Sequence, residues 1–151
     1  MKPGVQAMKK KSHKKVLPKV VAAVIERDGK ILVARRRKDI RFGGLWEFPG
    51  GKLEAGEDPE KGLERELSEE FSVQTQVAGL LISVPYHSPS LSIELLAYKV
   101  VYVSGEFCPV DHDEIRWVEP AGLDESAFTE PDRPIVRFLK SEAAGAGEEC
   151  G

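Results

Sequence analysis

Apolar residues run almost unbroken from Val20 to Glu26 (VVAAVIE), stop at Asp28-Gly29, and resume from Lys30 to Arg36 (KILVARR). β-Branched residues either side of an Asp-Gly pair predict two antiparallel strands joined by a tight turn. Arg37–Gly44 is polar and glycine-rich and reads as a loop. The short apolar piece Leu45-Trp46-Glu47-Phe48 follows, and Pro49-Gly50-Gly51 terminates it. The period then changes. Leu63, Leu67 and Phe71 recur every four residues behind Asp58-Pro59, which predicts a helix capped by Asp58, opened by Pro59 and ending near Ser72. Strand patterns return at Gln76–Val84, at Ile93–Val103 and at Ile115–Val118, and the nearly continuous apolar character of the second suits a central strand. A short helix around Ala121–Ala127, a second over Pro134–Ser141 and a frayed tail from Ala143 complete the pattern. Strands and helices in this order give an α/β chain with a mixed sheet and helices on its faces.

The length, 151 residues, suits one domain of about 19–141 between a basic arm (1–18) and a flexible tail (142–151). Residues 1–19 hold seven lysines and no acid against a formal net charge of −3, so the rest of the chain sits at −10. The arm lacks interleaved aromatics and amphipathic period, so it reads as a solvated extension and nucleic acid is not the expected partner. No apolar run suits a membrane span or a signal peptide, which makes a cytoplasmic protein the expectation. Two cysteines, Cys108 and Cys150, build neither a disulfide framework nor a zinc site.

The acidic body draws attention to Gly50–Val73 (GGKLEAGEDPEKGLERELSEEFSV). On the expected helix Glu66, Glu69 and Glu70 stand at i, i+3 and i+4, so three carboxylates share one face and repel one another. Either full solvation or a bound cation offsets that repulsion, and oxygen ligands without histidine or thiolate suit Mg²⁺, with Mn²⁺ as the alternative. The apolar face made by Leu63, Leu67 and Phe71 would fix these acids against a sheet.

Gly51, five residues, Glu57, seven residues, then Arg65-Glu66-Leu67-Ser68-Glu69-Glu70 and Val73 resembles the signature box of the Nudix hydrolases, 23 residues long. One position departs, since Ser72 stands where the family pattern has glycine. The resemblance covers roughly residues 19–141 and implies an α/β/α sandwich and metal-dependent attack of water on a phosphoanhydride. It implies Glu66, Glu69 and Glu70 with the Gly50 carbonyl as metal ligands, Glu66 and Glu69 in catalysis, and structural roles for Gly51, Glu57 and Arg65. Arg65 would orient a box glutamate, Glu57 being the candidate. A further carboxylate is expected from Asp111-His112-Asp113-Glu114. Glu114 or Asp111 would complete the metal site or act as base, and His112 would sit at the surface or pack.

The lead-in LWEFPGG and the segment Pro131-Asp132-Arg133-Pro134 are similar to the MutT-type branch, which cleaves nucleoside triphosphates, oxidised or modified ones included, to monophosphate and pyrophosphate. That similarity implies a nucleotide substrate contacted by Arg36, by Glu47 to Gly50 with Phe48 against base and sugar, and by Asp132. An ionised Asp132 only accepts hydrogen bonds, which favours bases that offer amino or imino hydrogens; as an alternative, Asp132 simply caps the last helix. A nucleoside diphosphate sugar or ADP-ribose pyrophosphatase, and a Nudix-fold binding protein without turnover, remain as alternatives, and the chain would be a monomer or homodimer.

Overall fold

In the computed structural model, which describes residues 17–150, seven strands, two α-helices and three short 3-10 turns build the fold. The lysines of segment 1–16 lie outside the described residues. The strands are β1 (Lys19–Arg27), β2 (Lys30–Arg36), β3 (Trp46–Glu47), β4 (Gly50–Lys52), β5 (Val73–Ser88), β6 (Leu91–Gly105) and β7 (His112–Val118). The helices are α1 (Pro59–Phe71) and α2 (Arg133–Cys150). Among the described residues no helix is long and apolar enough to cross a membrane.

Strand β1 organises the sheet. It pairs in parallel with β6, which is flanked on its other side by β5, and it meets β2 only at the hairpin end, through Glu26 with Ile31 and Arg27 with Lys30. Beyond that end β1 and β2 diverge, and the segment 46–52 wedges between them. Its first part, β3, pairs with Ala34 and Arg35 of β2, and its last part, β4, pairs with Val20–Ala22 of β1. The Pro49 carbonyl between the two accepts from Ala23 N–H at 2.7 Å. Strand β7 runs antiparallel along β2.

The unbroken apolar run of β1 is explained by burial on both faces. Val21, Ala23 and Ile25 pack with Leu63, Leu67 and Phe71 of α1, while Ala22 and Val24 pack with Ile135, Val136 and Leu139 of α2. The sheet therefore has a helix on each side, the α/β/α sandwich. Asp58 caps α1 by accepting from Lys61 N–H at 3.0 Å.

Three boundaries differ from the sequence expectation. Gly50-Gly51 does not end a segment but forms strand β4, because Val20–Ala22 supplies the pairing that a local reading cannot see. The helix expected near Ala121–Ala127 is two 3-10 turns, Pro120–Gly122 and Glu125–Ala127. The segment from Ala143, expected to lie beyond the last helix, is part of α2, which runs to Cys150.

Ser72, the departure from the family box, adopts the left-handed conformation (φ 61°, ψ 34°) that closes α1, its N–H reaching the Ser68 carbonyl. A side chain there costs roughly 1 kcal/mol relative to glycine, reduced by glycine's greater freedom when unfolded. Ser72→Gly is therefore expected to raise stability by about 0.5–1 kcal/mol, read as a higher urea midpoint at unchanged m-value. A lower midpoint would show that the serine side chain makes a compensating contact.

Candidate active site

A cavity of about 460 Å³ opens where the wedge 46–52, the end of α1, the start of β7 and the approach to α2 meet. Arg36, Glu47, Phe48, Gly50, Gly51, Glu70, Asp111, His112 and Asp132 all line it. Of the sequence candidates, Glu66 lies behind this wall against Gly51. A Cβ built on Gly51 would sit 2.7 Å from the Glu66 carboxylate. Glu69 is 60% exposed and bonds Arg65 at 3.0 Å.

Arg65 grips Glu57 through two hydrogen bonds, 2.7 and 3.0 Å, and also touches Glu66 at 3.2 Å. The guanidinium, with the Glu54 N–H, holds the Glu57 carboxyl down to about 2. Glu57 thereby closes the loop before α1 onto its middle and sets the azimuth of the acidic face.

Glu114 does not line the cavity. Its carboxylate bonds Arg116 at 2.7 Å and lies 3.5 Å from Arg35, on the other face of β7. The acid that does reach the cavity from this segment is Asp111. Glu114 is fixed to that face by its pairing with Arg35, whereas Asp111 precedes β7 and lies outside the ladder; within the ladder a bulge turns His112 to the cavity side. The register of β2 against β7 shifts between Arg35, which faces Glu114, and Arg36, which faces His112, so Asp113 is skipped and the strand's alternation resets.

Two carboxyl groups have unusual environments. Burial, a hydrogen bond with Glu66 and the charges of Glu66, Glu47 and Asp111 push Glu70 up to about 9. Burial, then the charge of Glu47, push Asp132 up to about 8, against the opposing effects of Phe48 N–H and Arg36. Asp132 does not bond the first turn of α2. Its Oδ2 accepts from Phe48 N–H at 2.8 Å, so it clamps the wedge rather than capping the helix.

Residues 16–139 match the NUDIX domain family. The chain belongs to the Nudix hydrolases. This Nudix chain is similar to the CTP pyrophosphohydrolase of Escherichia coli, 36% identical over 126 residues that cover 83% of this chain and 93% of that one. It is also similar to the 8-oxo-dGTP diphosphatase of the same organism, 31% identical over 126 residues covering 83% and 98%. Among solved structures, the E. coli ORF135 protein superposes with a TM-score of 0.73 at 34% identity, covering 85% of this chain and 91% of that one. The MutT protein of Methanosarcina mazei gives 0.73 at 23% identity, covering 86% and 97%, a likeness of fold.

Nudix hydrolases generally use divalent metals, and the donors here fit one. Glu66 raises the pKa of the Glu70 carboxyl, a proximity of two carboxylates that a proton or a cation between them relieves, and the missing side chain of Gly51 leaves Glu66 its place. Among the described residues no three ligating side chains converge as a finished cage. Arg65 holds Glu69 aside, and the exposure of Glu69 leaves it free to turn. Gly51→Ala is accordingly expected to displace the Glu66 carboxylate and lower kcat by about tenfold or more, roughly 1.4 kcal/mol of barrier, with far-UV circular dichroism unchanged. Normal turnover in that variant would remove Glu66 from the ligand set.

Sequence reasoning gave His112 a surface or packing role, and the ring does stack on Phe71 with centroids 5.3 Å apart, but its place in the cavity wall was not foreseen by that reasoning. It also missed Ile40, Arg41 and Phe42, which line the mouth from the loop after β2, and Leu91 and Ile93 from the β5–β6 hairpin. Loop composition carries no signal for such placement.

Proposed function

We propose that the chain hydrolyses nucleoside triphosphates to the monophosphate and pyrophosphate with Mg²⁺, or Mn²⁺ in its place. The observation that carries this reading is a single cavity lined both by the carboxyl groups of Glu70 and Asp111 and by Phe48, Thr129 and Asp132. Its volume of about 460 Å³ suits one mononucleotide. The two E. coli relatives, named for CTP and 8-oxo-dGTP, support a nucleoside triphosphate over a dinucleotide-like substrate.

In this reading Glu66, Glu69, Glu70 and the Gly50 carbonyl hold the metal. When bound it neutralises phosphate charge and lowers the pKa of water. Asp111, in place of Glu114, orients the attacking water. Arg36 meets the phosphates: its Nε donates to the Arg41 carbonyl at 2.7 Å and its Nη1 to Glu47 at 3.0 Å, which leaves Nη2 for substrate. Phe48, stacked on Phe128 with ring centroids 5.2 Å apart, offers a fixed apolar floor to base and sugar. Asp132 reads the base edge.

Chromatography of products from a panel of nucleoside triphosphates, 8-oxo-dGTP, ADP-ribose and UDP-glucose tests the proposal. The expected result is monophosphate and pyrophosphate from a triphosphate. Release of sugar phosphate or ribose phosphate at higher efficiency would overturn it in favour of the ADP-ribose and sugar class, and no turnover of any member would favour a binding protein.

A further inference from the structure

The bulge at Asp113 builds an arrangement that the reaction as described leaves unused. By bringing His112 opposite Arg36, it lines up three side chains from three strands. His112 Nε2 lies 2.8 Å from Glu47 Oε2, and Glu47 Oε1 accepts from Arg36 Nη1 at 3.0 Å. The imidazole is only 6% exposed and stacks on Phe71 with centroids 5.3 Å apart, so the hydrophobic core fixes its plane. Its Nδ1 is buried with no partner. A hydrogen there would be stranded, which assigns the ring hydrogen to Nε2 and makes His112 the donor to Glu47.

We propose that His112 is a positioning residue for nucleotide binding, holding Glu47 so that Glu47 in turn holds the Arg36 guanidinium in the cavity wall. A carboxylate held at one oxygen can rotate about its last torsion, whereas one held at both oxygens presents a fixed acceptor. With Glu47 pinned by the core through His112, Arg36 is prealigned before substrate arrives, so the ordering cost is not met at binding. The inference rests on the reading that Arg36 contacts the nucleotide.

Two variants separate the hydrogen bond from the packing. His112→Phe keeps a ring on Phe71 and removes the donor. His112→Gln places an amide N–H near the position of Nε2 and removes the ring. Each is measured with CTP and with 8-oxo-dGTP, alone and in an Arg36→Ala background, with Tm recorded. The expected result for His112→Phe is a KM raised roughly tenfold or more, the range for a lost hydrogen bond to a charged group, with kcat within about threefold. His112→Gln should stay within about threefold on both parameters, and His112→Phe should cost nothing further once Arg36 is alanine.

Near-normal KM in His112→Phe, equal losses in both variants, or additive losses with Arg36→Ala would each overturn the inference. A silent Arg36→Ala is a distinct result. It removes the nucleotide-binding role of Arg36, and the positioning role falls with it. Loss in Arg36→Ala with a silent His112→Phe overturns only the positioning role.

Discussion

Chelation of divalent cations by EDTA is expected to reduce turnover to background, and Glu70→Gln to lower kcat at least tenfold in saturating Mg²⁺, about 1.4 kcal/mol or more of barrier. The same substitution should make the metal-free protein more stable at alkaline pH. In the fold Glu70 is held up to about 9 by burial and by Glu66, Glu47 and Asp111, whereas its ordinary value is 4.5. The folded state thus binds the proton more tightly than the unfolded chain. The stability this confers is complete below pH 4.5 and is lost as pH rises toward 9. Asp132 acts in the same direction over a window from 3.8 to about 8. Thermal melts of metal-free protein should therefore show Tm falling from pH 5 to pH 9, a shallower fall in Glu70→Gln, and recovery in wild type on adding Mg²⁺. A Tm independent of pH and metal, with normal turnover in Glu70→Gln, would reduce the helix to a solvated acidic face.

Base selection should switch with the proton on Asp132. The sequence alone suggested an ionised carboxylate that only accepts, but burial holds this group up to about 8. At pH 6.5 it carries a proton, with one oxygen on Phe48 N–H, and so both donates and accepts as an asparagine does. Asp132→Asn is accordingly expected to leave kcat/KM within about threefold across the nucleotide panel at pH 6.5. At pH 9.5 the wild type, now ionised, should lose roughly tenfold or more relative to the asparagine variant on bases that turn a carbonyl toward residue 132, the scale of one unmatched polar contact in a closed site. Asp132→Ala should lose as much at both pH values. A ratio of wild type to Asp132→Asn that does not change with pH would show that protonation of this group plays no part in recognition.

What could be read from the chain divides along a physical line. Helix α1 was legible because Asp58, Pro59 and the four-residue apolar period act within one segment, and the box glutamates inherit their common face from that period. Strand β4 was hidden because three residues, two of them glycine, carry no local propensity and depend on Val20–Ala22 for their pairing. Asp111 and Glu114 were both plausible from spacing, but Glu114 is turned away by its pairing with Arg35, Asp111 precedes the strand, and His112 reaches the cavity because Asp113 is skipped. A bulge changes alternation without leaving a mark in composition. The proton on Asp132 was illegible for a further reason, since the ionisation of a carboxyl group depends on how much water its neighbours exclude.

The wedge between β1 and β2 sets a ruler inside the site. If Phe48 takes the base and the Gly50 carbonyl the metal, as proposed, the two are two residues apart on one stretch, which is anchored by Ala23 through Pro49 and by Asp132 through Phe48. The span from base to cleaved bond would then be written into a few covalent bonds of one anchored stretch rather than into the relative posture of two loops. Substitutions around the mouth, at Ile40, Phe42 or Leu91, would then alter which nucleotide is admitted while the bond that is cut stays the same. Selectivity can drift in such a scaffold without the product pattern drifting with it.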